Sequence, residues 1–187
     1  MAVAKAPASF DLASTLARDW ALQVKNEAGE WVFVRGLSKF APKTTPTMKD
    51  DSDIDSEGYK SQIATALQQT FEGEGYRKGT LAGETFKQDE GQAALRAVGR
   101  KMGLGNVIPA RCWRTDGVEE GYEGHFSVEW TDNDGGNEDL DQFSFTMMSR
   151  GKPMAIKPVT DPQGDSVPTG EDNSFRQGGS TVTTPAQ

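Results

Sequence analysis

Three pieces of one stretch decide the fold: Trp31-Val32-Phe33-Val34-Arg35 running into Gly36-Leu37-Ser38-Lys39-Phe40-Ala41-Pro42, then Asp50-Asp51-Ser52-Asp53-Ile54-Asp55-Ser56-Glu57-Gly58-Tyr59, then Tyr76-Arg77-Lys78. The first is an apolar, β-branched and aromatic run, too short for a helix, and it reads as a strand. Upstream, residues 16–25 alternate, with Trp20, Leu22 and Val24 on one side and Asp19, Gln23 and Lys25 on the other. That is the period of a half-buried strand. Asn26-Glu27-Ala28-Gly29 supplies turn chemistry between the two, so residues 16–35 are expected to form a hairpin. Residues 41–58 read as a loop of unusual length, because Pro42 and Pro46 restrict the backbone and the aspartates cannot be buried without partners.

Beyond the acidic run, Ile63, Leu67 and Phe71 are spaced by four. That spacing fits one side of either a helix or a strand. Ala64 and Ala66 favour helix, Thr65 and Thr70 favour strand, and periodicity leaves residues 60–72 open. Residues 90–102 are expected to be helical, with Asp89 as N-cap and Gln92 at the capping-box position. Ala94, Leu95, Val98 and Met102 would form the apolar stripe, and Gly103 the left-handed stop. Strands are expected at 107–114, where Pro109 suggests an edge or bulge, at 122–130, at 140–149 and at Met154 to Lys157. In 122–130, Tyr122, Phe126, Val128 and Trp130 share one side, while Glu123, His125, Ser127 and Glu129 share the other. In 140–149, Phe143, Phe145 and Met147 point inward. From Pro158 on, Pro, Gly, Asp, Ser and Thr dominate, and such a segment does not offset its own ordering entropy, so a tail is expected.

The chain has 187 residues and a formal net charge of −8, which disfavours a basic nucleic-acid groove. The lone Cys112 makes no internal disulfide and reads as a small strand residue. Met1-Ala2-Val3-Ala4-Lys5-Ala6-Pro7 lacks the apolar run of a signal peptide, and no stretch approaches the roughly 18 apolar residues of a membrane helix. An aqueous, cytoplasmic setting is the expectation.

Catalytic and metal motifs fail on spacing. An EF-hand loop needs Gly sixth and an acid twelfth. Counting from Asp51 gives Ser56 and Gln62; counting from Asp53 gives Gly58 but Ala64. A weak cation site at Asp132, Asp134, Glu138, Asp139 and Asp141 ranks behind a simple turn at Gly135-Gly136. His125, the single histidine, lies on the polar side of a regular strand, and neither a Gly-x-Ser-x-Gly elbow nor a Walker A loop occurs. Gly103-Leu104-Gly105 follows a helix, whereas a dinucleotide fingerprint opens one. No catalytic residue, cofactor or metal is assigned.

The order of Leu16-Ala17-Arg18-Asp19-Trp20, Arg35 to Phe40, Asp50 to Tyr59, Tyr76-Arg77-Lys78, Gly91 to Arg96 and Tyr122-Glu123-Gly124-His125-Phe126 resembles the tail tube (major tail) proteins of long-tailed, non-contractile bacteriophages, especially those of actinobacteria. The resemblance implies a mainly β (α+β) fold, a β-sandwich or partial barrel with one flanking α-helix, and it makes residues 60–72 a strand. It implies an N-terminal arm at 1–14, a β domain at 15–158 whose 42–58 loop reaches an adjacent ring, and a C-terminal extension at 159–187. It further implies self-assembly into stacked hexameric rings, with a tape measure protein, tail terminator or tip proteins, and phage DNA passing through the lumen without specific binding. No membrane insertion is implied. Asp50, Asp51, Asp53, Asp55, Glu57 and Tyr59, together with Arg77 and Lys78, become the expected inter-subunit contacts. Arg96, Arg100, Lys101, Arg111 and Arg114 would add basic groups facing a neighbour's acidic loop. The rival readings are a soluble β-sandwich carbohydrate-binding or adhesion module, and a hydrolase using paired carboxylates.

Overall fold

The computed structural model describes residues 14–16, 18–56 and 58–170. The expected N-terminal arm, apart from Ser14, and the extension beyond 170 lie outside the described residues, as does Glu57.

The expected first hairpin is present. β1 (Trp20–Lys25) pairs antiparallel with β2 (Trp31–Phe33), Gln23 opposite Phe33 and Lys25 opposite Trp31. The strand does not begin at 16, because the Asp19 carboxylate accepts from the Leu16 N–H and closes a local turn before Trp20. Short acidic side chains offer the backbone this alternative to a ladder.

Residues 41–58 are not a long loop. β3 (Leu37–Asp50) runs through them and pairs with β4 (Gln62–Tyr76), leaving only 51–61 as the connection. Prolines are tolerated because β3 is the last strand of its sheet. Pro42 and Pro46 lie four apart, so both present the same backbone side, the one that faces solvent at an edge. Residues 62–72 are strand, as the resemblance implied, while Lys60 and Ser61 belong to the connection.

The remaining elements are β5 (Gly79–Ala82), β6 (Thr85–Gln88), α1 (Glu90–Gly99), β7 (Val107–Arg114), β8 (Gly121–Asn133), β9 (Gln142–Ser149) and β10 (Met154–Ala155). The main sheet runs β2-β1-β7-β8-β9-β4-β3, with β10 on β8; β5 and β6 form a separate hairpin. β7 is interior, not an edge. The β1 ladder stops at Val24–Ala110, however, so Pro109 sits one residue past it and faces only β8.

This sheet is rolled. β1 and β3 lie five places apart in strand order, which would separate them by about 24 Å in a flat sheet. Yet the Trp20 and Phe40 rings are 6.2 Å apart. Phe40 meets Phe71, which stacks at 4.3 Å on Phe126, so the aromatic residues of the two halves fill one interior. Phe143, Phe145 and Met147 are buried as their alternation predicted. The result is a mainly β partial barrel with one flanking helix.

That helix closes the interior with Leu95, which is fully buried. Asp89 caps it, accepting from the Gln92 N–H at 3.2 Å. Gln92 does not reach back to complete a capping box; its amide donates to the carbonyls of Arg35 and Tyr76 and accepts from the Lys78 N–H. The helix stops at Gly99, where the Asn106 side chain donates to the carbonyls of Val98 and Val128. Met102 therefore falls outside the stripe and is 92% exposed. At Gly91 the helix touches β2 so closely that a Cβ would sit 2.3 Å from the Phe33 carbonyl oxygen. Alanine there would gain about 1 kcal/mol of helix propensity. The clash with fixed backbone costs more, and Gly91→Ala is expected to lower stability by roughly 1–3 kcal/mol in urea denaturation.

Candidate assembly interface

β4 meets β9 only from Thr70 to Tyr76. Among the described residues no third strand joins the β3–β4 hairpin beyond Thr70, and residues 43–50 and 61–68 are exposed throughout. A two-stranded ribbon alone in water is marginal. Its register continues the interior face of the barrel outward: Phe71 opposite Pro42, Gln69 opposite Thr44, Leu67 opposite Pro46. An extra residue in β4, Thr65, shifts the register so that Ala64 faces Met48, while β3 keeps its period of two and holds Met48 in line with Pro46. Leu67 is 71% and Met48 46% exposed, so past the hydrogen-bonded Thr44–Gln69 pair the same face becomes apolar again and ends uncovered.

The tip carries Asp50, Asp51, Asp53 and Asp55, all exposed, with Ile54 and Tyr59 also bare. Asp50 accepts from Ser52, whose side chain and backbone hold its carboxyl below the usual carboxylate range.

Arg77 and Lys78 are not near this tip. They follow the other end of β4, about 45 Å away along a strand of this length. The expected contact residues thus form two separate surfaces of one chain. Arg77 donates to Asp141 at 2.8 Å and lies 3.6 Å from Asp132, which also takes Arg96 at 3.2 Å and Arg100 at 3.1 Å. The Trp130 indole N–H donates to Asp132 at 2.8 Å. That bond, with Arg96 and Arg77, keeps the Asp132 carboxyl below its ordinary range. Three guanidinium groups against two carboxylates leave one positive charge over. Arg77 Nε and Nη2 and Arg96 Nε are inaccessible and lack a hydrogen-bond acceptor among the described residues. Lys101 pairs with Glu27, and Arg114 with Asp116.

Arg111 is not a surface charge at all. It is fully buried, as is Gln23, whose side of β1 was expected to be wet. The guanidinium lies 4.2 Å from the Trp31 ring centre and donates to Gln23 Oε1, to the carbonyls of Pro162 and Gly164, and to Ser166 Oγ. Burial draws its pKa down from the ordinary value, while Glu123, Asp161 and Asp165 oppose that shift. Gln163 bonds Trp31 from both ends of its amide, and the Ile156–Pro168 bridge closes the strap. So residues 158–170, expected to belong to a tail, fold back onto the sheet. The sequence carried one sign of this: Trp31 and Phe33 of β2 and Trp113 of β7 all fall on the side away from the core, where a wet face would not place three aromatics.

A rolled antiparallel sheet, one closing helix and a long projecting hairpin together define the tail tube fold. The chain is similar in fold to a subunit in the tail of an empty gene transfer agent particle, refined helically with C6 symmetry (TM-score 0.60, 14% identity, 76% of this chain and 98% of that one). It is similar also to a chain of the native gene transfer agent virion (0.53, 14%, 76% and 98%). A third likeness is to the SPP1 tail tube determined by solid-state NMR and cryo-EM (0.55, 13%, 78% and 81%). No family model and no curated protein matches the sequence.

Proposed function

We propose that this chain is a structural virion protein, the subunit of a phage tail tube, and not an enzyme. Copies form hexameric rings that stack into a hollow conduit for genome delivery, as in the actinobacterial phages its sequence resembles. The observation that carries this reading is the β3–β4 ribbon, which extends the core-facing side past any cover the described residues provide. A neighbouring copy supplies that cover. The sixfold symmetry of one structural neighbour supports a ring of six.

The acidic tip meets the arginine group of the adjacent ring. The one positive charge left over in this group suits an incoming carboxylate, and Arg100, whose side chain is the most exposed of the three, is the arginine such a group would meet first. The ring builds around a tape measure protein, and terminator and tip proteins close the ends. Phage DNA passes without specific binding, since a chain of net charge −8 repels phosphate. The protein resides in the virion and, before assembly, in the host cytoplasm.

The triple variant Asp51→Lys, Asp53→Lys, Asp55→Lys is expected to fold normally and to raise the concentration needed for polymerisation at least about tenfold. Turbidity and negative-stain microscopy read this out. Normal tubes from the variant would remove the acidic tip from the interface.

A further inference from the structure

A second exposed projection lies at the other side of the molecule. In the β5–β6 hairpin, Leu81 stands directly opposite Phe86, and they are 77% and 56% exposed. Phe86 is held in place by its own hairpin, because its ring lies against Gly79, where a Cβ would come within 2.6 Å of it. The opposite side of the hairpin, Thr80 and Lys87, faces the body across a cleft shared with Phe33 and Asp89. The Leu81–Phe86 pair is thus a preformed apolar knob turned away from its own subunit.

A shallow, open depression lies at the far end of α1. Leu104, Val107, His125, Arg150 and Gly151 line an open groove of about 620 Å³, and Leu104 is 80% exposed. The hairpin runs into the N-terminus of α1, and the groove begins just past its C-terminus. Ten helical residues hold them about 15 Å apart. They cannot meet within one chain.

Charge gives the pairing its direction. Glu84 sits in the turn of the hairpin beside the knob, and Arg150 forms a wall of the groove. Neither is in an ion pair among the described residues. We propose that the β5–β6 hairpin of one copy seats in the Leu104–Arg150 groove of the next, with Leu81 and Phe86 against Leu104 and Val107, and Glu84 against Arg150. Knob and groove are different surfaces, so the contact is heterologous and propagates from copy to copy until a ring closes. It rests on the self-assembly reading, and it assigns the lateral contact to surfaces other than the ribbon.

The test is a charge swap. Glu84→Arg, Arg150→Glu and the double variant are purified alongside the wild-type chain and the Leu81→Ser/Phe86→Ser variant. All positions are solvent-exposed or groove-lining, and circular dichroism checks that each variant folds. Each single swap is expected to raise the critical assembly concentration about tenfold, and the double to return it to within about threefold of wild type. The serine variant is expected to form no rings. If the wild type assembles and the single swaps assemble equally well, or if the double is worse than both, the knob-and-groove contact is wrong while the tube reading stands. If the wild type never assembles, both fall.

Discussion

Replacing Arg111 with alanine is expected to cost about 3–5 kcal/mol of stability, because buried neutral acceptors are left unpaired and a cavity opens where the side chain was. Four acceptors lose a donor at once, Gln23 Oε1, the Pro162 and Gly164 carbonyls and Ser166 Oγ, and of these the Pro162 carbonyl keeps the Gln23 amide as a second donor. The Trp31 ring loses the cation packed on it, and a space the size of a long side chain opens under the strap. Lysine is a poor substitute, because one ammonium cannot reach acceptors arranged around a planar fork. Urea denaturation should show the loss, and limited proteolysis should cut between 158 and 168 in the variant but not in the parent. A change below about 1 kcal/mol with an uncut strap would mean that Arg111 contributes little, and that the Gln163–Trp31, Gln23–Pro162 and Ile156–Pro168 contacts hold the strap without it.

Shortening the ribbon is expected to have the largest effect on assembly and a small one on folding. Thr45 and Gln68 already face each other across β3 and β4, so residues 46–67 can be replaced by Asn-Gly, the favoured two-residue hairpin turn. The removed segment is exposed on both faces, with Ile54 at 98% and Tyr59 at 80%, so little buried area is lost. The melting temperature should stay within a few degrees of the parent, because ΔTm follows the small change in unfolding free energy. Polymerisation should vanish, since both the apolar stripe and the acidic tip are gone. Tubes from the shortened chain would show that the ribbon is dispensable.

These two sites differ in how far sequence alone exposed them. The strands whose two faces meet different media were legible: Phe143, Phe145 and Met147 alternate with polar residues because one side is core and the other wet. The Asp89 cap and the Leu95 face were legible for the same local reason. The β3 ribbon was not, because Pro42, Pro46 and a run of exposed polar residues carry no periodic burial, and only the pairing with β4 makes them a strand. Arg111 was unreadable for a different reason. Its acceptors at Pro162, Gly164 and Ser166 lie about fifty residues downstream in a segment whose composition looks unstructured. A charge that looks superficial by type is buried by a long-range contact. Its clue, three aromatics on a nominally wet side, needs the strand register before it can be read. The acidic and basic halves of the expected interface were both present in the sequence. That they lie at opposite ends of β4, and so cannot satisfy each other in one chain, follows only from the hairpin's length.

Electron microscopy of the purified, untagged chain across a wide concentration range tests the subunit role most directly. Sixfold rings that stack into hollow tubes, one ring joined to the next through the 43–68 ribbon, are the predicted result. A particle that stays a single copy at every concentration, with Leu67 and Met48 in contact with water alone, would contradict it.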